Sequence, residues 1–272
     1  MKYLKGSLVA QEILEEVSRQ ARQVHARGVT PTVAVVLVGE NPSSKFYVQK
    51  KKEVAKKAGI DFLLYELPSH IAQKDVEELL TILHLDKTVH GVVLQLPLPK
   101  HFIFNELVKF IAPEKDVDHF HKNSPYSPPT ASAVLRLLRF YKIEIKNKKI
   151  AIIGDGFLVG RPLSKILKNS GAQVNVYTEK SKNVAPKTAE ADILISATGH
   201  AHLITKNFTN SKQIIIDVGS ARDKKTNALV GDVNRRSVGK NIKAITPRVG
   251  GVGPITIALL LQNVILATKK TL

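Results

Sequence analysis

The chain has 272 residues, 43% of them hydrophobic, which is enough for two globular domains or one large one. It contains no cysteine, which excludes disulfides, thiolate metal sites and cysteine nucleophiles. No apolar run approaches the roughly 20 residues that cross a bilayer, and the first stretch carries acidic residues where a signal peptide would not. These features predict a cytoplasmic protein with no membrane partner.

The formal net charge is +18, which raises the question of a nucleic-acid partner. The positive residues are spread over the whole length, and only 6 Tyr, 9 Phe and no Trp are present to stack on bases. We therefore expect no nucleic-acid partner. A generally basic surface, or one that attracts an anionic small molecule, is the favoured interpretation.

Apolar strands alternate with helices in the first half of the chain. Strands are predicted at 32–39, 61–68 and 91–99, and helices at 43–58 and 72–85. Continuous Val and Leu runs separated by helices are typical of a parallel sheet that is covered on both faces.

A stretch rich in Pro and Ser, 124–133, precedes a helix and then a second α/β series. The chain ends in a strongly apolar helix that we expect to pack back on the first domain. The predicted fold is therefore α/β with two domains, an N-terminal parallel-sheet catalytic domain and a Rossmann-like dinucleotide-binding domain. The domain limits are residues 1–141 with the helix 254–272, and residues 142–253. The second series starts with a strand, a glycine turn and a helix within 148–167, and further strands are predicted at 173–178, 191–198 and 213–219.

The helix 43–58 places a lysine on its apolar stripe. Ser43 or Ser44 is expected to cap its start and Gly59 to end it. Lys51 lies in the middle of the stripe. Either it buries its aliphatic stem and keeps its ammonium group in water, or it lines a cleft and takes part in catalysis. The stripe consists of Tyr47, Val54, Ala55 and Ala58.

A glycine turn joins a buried strand to a helix at the start of the second series. Gly154, Gly156 and Gly160 form G-x-G-x-x-x-G, one residue longer than the usual dinucleotide fingerprint. Glycines let a backbone approach a pyrophosphate, and a helix N-terminus offers free N–H donors. A simple tight turn is the alternative.

Polar residues also stand out where the third strand ends and in the segment 113–121. Gln95 is expected either to face the ligand crevice or to bond the nearby loop. Asp116 and Asp118 lie on one side of an extended segment, where a carboxylate can hold a ring bearing adjacent N–H donors. His119 and His121 have no companion cluster with metal-ligand spacing, so no metal site is predicted.

Eight motifs together resemble the bifunctional methylenetetrahydrofolate dehydrogenase/cyclohydrolase family. They occur in the family's order over nearly the whole chain, which makes the resemblance specific. The motifs are VGENPSSKFYVQKKKEVAKKAGI, GVVLQLPLP, PEKDVDHFH, GDGFLVGRP, ADILISATG, IIIDVG, GDV and GGVGPITIALLLQN.

The resemblance implies oxidation of methylenetetrahydrofolate with NADP, or with NAD, and hydrolysis of the methenyl product to formyltetrahydrofolate, in one-carbon metabolism and purine biosynthesis. It implies tetrahydrofolate derivatives as ligands and a homodimer. The catalytic residues would be Lys51, Tyr47, Gln95 and Asp118. The folate-binding residues would be these four with Ser44, Leu96, Gly251 and Pro254. The cofactor-binding residues would be Gly154, Asp155, Gly156, Gly160, Arg161, Pro162, Thr198, Gly199 and Ser220.

Several positions depart from the family's pattern, mostly around the cofactor loop and the cleft rim. Asp155 and Gly156 stand where the family usually has Arg-Ser, which bears on the choice between NADP and NAD. His119 replaces a glycine, and Arg248 enters the last glycine loop.

Two rival interpretations of the function remain. The first is a different two-domain dehydrogenase, which acts on a small acid or a shikimate-like substrate. The second is a non-catalytic nucleic-acid binder built on an old enzyme fold.

Overall fold

The computed structural model describes residues 1–223 and 225–272 and divides into two compact units. The three-stranded unit comprises Gln11–Pro129 and Ile257–Leu272, and the six-stranded unit comprises Met1–Ala10 and Thr130–Thr256. These units differ from the expected domain limits at three places, one of which is the start of the last helix, where residues 254–256 belong to the six-stranded unit. The helix after the Pro/Ser-rich stretch belongs almost wholly to the six-stranded unit, and so do the first ten residues.

The elements follow one another as alternating strands and helices over most of the described chain. The helices are α1 Gly6–His25, α2 Pro42–Ala58, α3 Gln73–Leu85, α4 Phe104–Val108, α5 Pro129–Phe140, α6 Gly160–Asn169, α7 Val184–Ala189, α8 Arg235–Val238 and α9 Val252–Lys269. The strands are β1 Lys2–Tyr3, β2 Thr32–Val38, β3 Asp61–Leu67, β4 Gly91–Leu94, β5 Lys149–Ile153, β6 Gln173–Tyr177, β7 Ile193–Ser196, β8 Ile214–Asp217, β9 Ala221–Arg222, β10 Leu229–Val230 and β11 Ala244–Ile245.

The sheet of the three-stranded unit has the order β3-β2-β4, and both pairings are parallel. Strand β2 is buried along its whole length, as its unbroken Val/Leu run predicts. The chain leaves β2 to one side and returns on the other, so the order reverses at β2. The carboxyl ends of β2 and β4 therefore flank the position where open α/β sheets bind ligands.

Strand β4 is shorter than predicted. It ends at Leu94 rather than continuing to residue 99, because Pro97 and Pro99 cannot donate to a ladder, and the Leu96–Pro97 bond is cis. Gln95 is thus the first residue beyond the strand, and its N–H still bonds the carbonyl of Val36.

The six-stranded unit has a parallel sheet of the order β1-β11-β8-β7-β5-β6, and a separate antiparallel hairpin formed by β9 and β10. The first residues of the chain belong here because β1 pairs with β11 at the edge of the sheet. The order reverses between β5 and β7, so their carboxyl ends form the switch point of this sheet. The predicted glycine turn follows β5 directly.

Helix α2 begins one residue earlier than predicted, and its cap is a different side chain. Asn41, not Ser43 or Ser44, is the N-cap, and its Oδ1 accepts the N–H groups of both serines at 3.0 Å. Pro42 fits the first helical position because no donor is needed there. Gly59 ends the helix with φ +75°, as predicted.

The buried stripe of α2 is rotated slightly from the predicted one. Val48 belongs to it and Val54 does not, while Lys51 lies at its centre as expected. The buried residues are Ser44, Val48, Lys51, Ala55 and Ala58.

Helix α9 confirms the prediction that the last helix packs on the first domain. The side-chain amide of Asn263 donates to the carbonyls of Val117 and Ser127, at 2.9 and 3.0 Å. By length and composition α9 could cross a membrane, but 67% of it is buried in the protein, which is the state of a core helix.

Acidification should destabilise the three-stranded unit through His90, which is 5% exposed and accepts the Thr32 N–H on Nδ1. Burial lowers the pKa of His90, Lys115 lowers it further, and Asp86 opposes the shift. The pKa of His90 in the folded protein lies below its unfolded value of about 6.5. The contribution of neutral His90 to the free energy of unfolding is therefore complete above about pH 6.5, and it is lost as the pH falls towards the folded pKa.

We expect the urea midpoint to fall between about pH 7 and pH 5, and to fall less in His90→Gln, which keeps a neutral acceptor. The exposed His84→Gln controls for loss of a histidine. An equal fall in the parent and in His90→Gln would contradict the assignment.

Candidate active site

Lys51 lies within the buried stripe of α2 and its ammonium group is removed from water. The residue is 9% exposed, and Nζ donates to Oε1 of Gln95 at 2.9 Å. Burial lowers the pKa of Lys51, and the negative charge of Asp118 partly opposes that shift. The amine therefore releases its proton more readily than an exposed lysine, which suits it to proton transfer.

Gln95 holds Lys51 through an amide that is itself fixed. Its Nε2 donates to the carbonyl of Leu96 at 2.7 Å, which turns Oε1 towards the ammonium group. The hydroxyl of Ser44 donates to the same carbonyl at 3.2 Å, joining the first turn of α2 to the loop after β4. The prediction that Gln95 bonds the nearby loop is confirmed, while its place in a ligand crevice stays a prediction.

Tyr47 and Asp118 complete the group around Lys51. Tyr47 lies one turn before Lys51 on α2 and is partly exposed, as expected of residues at i and i+4. Asp118 is partly exposed and belongs to the same unit. Burial raises the pKa of Asp118, and Asp116 adds to the rise, while Lys51 and His119 lower it.

Asp116 and Asp118 have different surroundings, contrary to the expectation that they act from one side. Asp116 is fully buried and accepts the N–H groups of Phe120 and His121, at 2.9 and 2.7 Å. It also contacts Nδ1 of His121 at 3.1 Å. Asp116 thus shapes the turn, and the role of Asp118 in ligand binding stays a prediction.

His119 occupies a backbone conformation that explains why the family usually has glycine there. Its φ is +61°, in the left-handed region that glycine adopts freely and that histidine tolerates. Its Nδ1 contacts the Tyr126 carbonyl at 2.7 Å. Within residues 1–223 and 225–272, no group of three His, Cys, Asp or Glu could hold a metal ion.

The glycine turn after β5 forms a cradle in the six-stranded unit. Gly154 has φ +101°, and a Cβ there would lie 2.5 Å from the Ala197 carbonyl. A Cβ on Gly160 would lie 2.0 Å from the Gly154 carbonyl, so α6 starts directly against the turn. Around Gly156, by contrast, the space is open. Open space above a helix N-terminus fits a dinucleotide pyrophosphate, and two of the three glycines are sterically required.

Charged residues surround a cavity of about 490 Å³ beside this cradle. Asp155 and Arg161 line it and form an ion pair at 3.7 Å. Lys165 and Lys168 also line it. Sequence reasoning found Arg161 but missed the two lysines, although spacings of four and three residues along α6 place all three on one face.

The other predicted cofactor residues lie at the same edge of the sheet. Thr198 and Gly199 follow β7, and Ser220 lies between β8 and β9. Pro162 is the third residue of α6. The strands β5 and β7 pair through Ile153 and Ser196, so the turns that follow them are neighbours at the switch point.

Gly251 and Pro254, predicted to bind folate, belong to the six-stranded unit and not to the unit that holds Lys51. The carbonyl of Gly250 accepts the N–H groups of Gly6 and Ser7, so this glycine loop meets the start of α1. Arg248 donates through Nε to the Leu229 carbonyl at 3.1 Å. The roles of Gly251 and Pro254 in folate binding stay predictions.

A parallel sheet with a glycine cradle at its switch point, and a second α/β unit with a buried lysine, define a two-domain enzyme of the dinucleotide-dependent class. Two family models match the chain. They are the catalytic domain of tetrahydrofolate dehydrogenase/cyclohydrolase, over residues 4–118, and the NAD(P)-binding domain of the same enzymes, over residues 128–272. The chain belongs to the tetrahydrofolate dehydrogenase/cyclohydrolase family, and its activities are those of a bifunctional dehydrogenase and cyclohydrolase.

Relatives match over the full length. Bifunctional protein FolD of Ligilactobacillus salivarius is 38% identical over 277 residues, covering 98% of this chain and 97% of the relative. The crystal structure of the FolD enzyme from Campylobacter jejuni is 36% identical with a TM-score of 0.92, covering 100% of both chains. A Trypanosoma brucei FolD structure, complexed with NADP and an inhibitor, is 30% identical with a TM-score of 0.90, covering 98% of this chain and 97% of that one.

The rival reading as a shikimate-type dehydrogenase is not supported. The shikimate dehydrogenase of Aquifex aeolicus is 13% identical with a TM-score of 0.54, covering 89% of this chain and 97% of that one, which shows a likeness of fold alone.

Asp118→Asn should weaken folate binding, because it keeps the shape but replaces one acceptor edge with a donor. A charge-assisted hydrogen bond contributes about 1.5–3 kcal/mol, so we expect folate affinity by titration calorimetry to fall at least about tenfold. Asp75→Asn, on the exposed face of α3, is the control. Unchanged affinity in Asp118→Asn would refute the role of this carboxylate.

Proposed function

We propose that Lys51 carries the hydrolysis of methenyltetrahydrofolate and that the glycine cradle after β5 holds the nicotinamide cofactor for the preceding oxidation of methylenetetrahydrofolate. The observation that supports the proposal most strongly is the buried ammonium group of Lys51, held by Gln95. Burial of an ammonium group against a neutral amide costs stability, and such costs are typical of functional sites.

In the hydrolysis, Lys51 transfers a proton while water attacks the methenyl carbon. Its lowered pKa brings the amine closer to the ambient pH, where proton transfer is most effective. The Gln95 amide keeps Nζ oriented in both protonation states, because Oε1 accepts from the ammonium or from the neutral amine. Tyr47 borders the same face, and Asp118 supplies the acceptor edge for the pterin ring.

In the oxidation, the nicotinamide accepts a hydride when it is bound, and the protein aligns the reactants. Gly154 and Gly160 bring the backbone close to the pyrophosphate, and the start of α6 offers N–H donors. The net charge of +18 attracts both the anionic cofactor and the glutamate tail of folate.

We favour NADP over NAD as the cofactor, because cations outnumber the one carboxylate around the cavity beside the cradle. Arg161, Lys165 and Lys168 oppose Asp155 there. The FolD structure from Trypanosoma brucei was solved with NADP, which agrees with this choice. We further propose a cytoplasmic enzyme of one-carbon metabolism with neither a nucleic-acid nor a membrane partner.

A homodimer through the six-stranded unit is proposed from the family resemblance. The candidate contact is the segment 227–234, which contains β10. Light scattering at micromolar concentration should give about twice the mass of 29.9 kDa for the chain. A monomeric mass would count against the proposal.

Lys51→Met should abolish methenyl hydrolysis while preserving the fold, because methionine fills the buried position without a titratable group. Proton transfer by a positioned side chain contributes about 10²–10⁴-fold, so we expect kcat to fall at least about 100-fold. Lys52→Met, the exposed neighbour on the same helix, is the matched control. Full activity in Lys51→Met, with an unchanged circular dichroism spectrum, would exclude Lys51 as the proton carrier.

Asp155→Arg should increase the preference for NADP over NAD. The carboxylate of Asp155 repels a 2′-phosphate and also pairs with Arg161, so its removal frees one cation and the substitution adds another. Asp155 is half exposed, which screens the effect, and we expect a rise of at least about tenfold in the ratio of kcat/KM values.

Asp155→Asn separates the loss of the carboxylate from the gain of the guanidinium group. An unchanged ratio in both variants would mean that the residue does not sense the cofactor's phosphate.

A further inference from the structure

Two carboxylates at the carboxyl edge of the six-stranded sheet are packed reciprocally, and neither reaction described above uses them. Asp217 ends β8, and Asp232 follows β10. A Cβ on Gly231 would lie 2.1 Å from Oδ2 of Asp217, and a Cβ on Gly219 would lie 1.8 Å from Oδ1 of Asp232. Asp217 is thus packed against the glycine that precedes Asp232, and Asp232 is packed against the glycine two residues after Asp217. We call this pair the aspartate clasp.

The hydrogen bonds of the two aspartates run in sequence, from Asp217 to Asp232 and from Asp232 to the end of β7. The carboxylate of Asp217 accepts the N–H groups of Asp232 and Val233, at 3.0 and 3.2 Å. The carboxylate of Asp232 accepts the Ser196 hydroxyl at 2.7 Å and the Thr198 N–H at 2.8 Å. Asp217 therefore fixes the backbone of Asp232, and Asp232 fixes the end of β7 and the loop that follows.

That loop is the neighbour of the cofactor cradle. A Cβ on Gly154 would lie 2.5 Å from the carbonyl of Ala197 and 3.4 Å from the nitrogen of Thr198, so the two backbones are in direct contact. Gly199 has φ +69°, which makes a sharp turn immediately after the anchored N–H. A shift of the loop would therefore be transmitted to the glycine turn.

The aspartate clasp lowers the free energy of unfolding, which argues against a role in stability alone. Asp232 is completely buried, and its Oδ1 has no hydrogen-bond partner in the described part of the chain. Burial raises the pKa of Asp217 to about 6, and the charge of Asp232 adds to the rise. Apolar or amide side chains could fill the same volume without bringing two acids together.

We infer that Asp232 is a positioning residue of the dehydrogenase half-reaction, which holds the loop 197–199 in the orientation that the cofactor requires, and that Asp217 sets the position of Asp232. This inference rests on the proposed cofactor site. A carboxylate suits the task because its charge-assisted bonds to Ser196 and Thr198 are about twice as strong as neutral ones.

Asp232→Asn keeps the size of the side chain but loses the charge that anchors the loop. We expect the Kd of the cofactor by titration calorimetry, and its KM in the oxidation, to rise at least about tenfold. Hydrolysis of methenyltetrahydrofolate needs no cofactor and uses Lys51 in the other unit, so its kcat/KM should change less than about twofold. The oxidation kcat at saturating cofactor should fall less than its kcat/KM.

Two further variants separate positioning from general stability. Ser196→Ala removes one of the two donors to Asp232 and should raise the cofactor Kd by about threefold, even if Asp232→Asn does not fold. Thr188→Ala is the matched control. It removes an equally buried hydroxyl of the same unit that donates to the Ala185 and Phe208 carbonyls, and it should leave the cofactor Kd unchanged.

The outcomes are distinct. If Asp232→Asn and Ser196→Ala lose only thermal stability, as Thr188→Ala does, and bind the cofactor as the parent does, the inference is overturned. If the parent binds neither NADP nor NAD, the proposed cofactor site and this inference both fail. If the parent binds the cofactor and the two clasp variants bind it more weakly with hydrolysis intact, the inference is supported.

Discussion

The removal of one ammonium group from water is the constraint on which the catalytic unit depends. Lys51 can be buried only because a polar atom meets it, and the atom that does so is a neutral amide oxygen. A carboxylate in the place of Gln95 would stabilise the charged form and raise the pKa of the lysine. The amide satisfies the hydrogen bond without holding the proton in place, so the lysine remains able to release it.

The surrounding fold follows from this requirement. Gln95 must be the first residue after a buried strand, and the two prolines downstream end the strand there. The same backbone supplies the Leu96 carbonyl, which orients the amide and receives the Ser44 hydroxyl. Helix α2 is thereby joined to the loop at the switch point, and Lys51 is positioned by backbone groups as much as by side chains.

Much of this arrangement could be predicted from the sequence, because its signals are local. The Val/Leu runs, the helix containing Lys51, Gly59 as its end and the glycine turn all depend on residues close together in the chain. The details that were wrong depend on competition between neighbours. Asn41 outcompetes the two serines as a cap because Pro42 fixes the first helical position after it.

The remaining features depend on tertiary contacts and have no local signal. Pairing of β1 with β11 brings the first residues of the chain to the edge of a sheet made more than a hundred residues later. The separate surroundings of Asp116 and Asp118 arise from a turn that closes only when residues 120 and 121 return to the buried carboxylate. Asp217 and Asp232 belong to the sequence motifs IIIDVG and GDV, but their reciprocal packing against glycines depends on the tertiary structure.

The division of the chain between the two units has a consequence for biosynthesis. The three-stranded unit is built from Gln11–Pro129 and Ile257–Leu272, so residues 130–256 of the six-stranded unit are encoded between its two parts. A ribosome delivers the sheet, Lys51 and Gln95 early, but Asn263, which bonds the Val117 and Ser127 carbonyls, arrives last. The three-stranded unit therefore makes its last internal contacts only after residues 130–256 of the other unit have been synthesised, and a nascent chain exposes the contact surface of α9 until then.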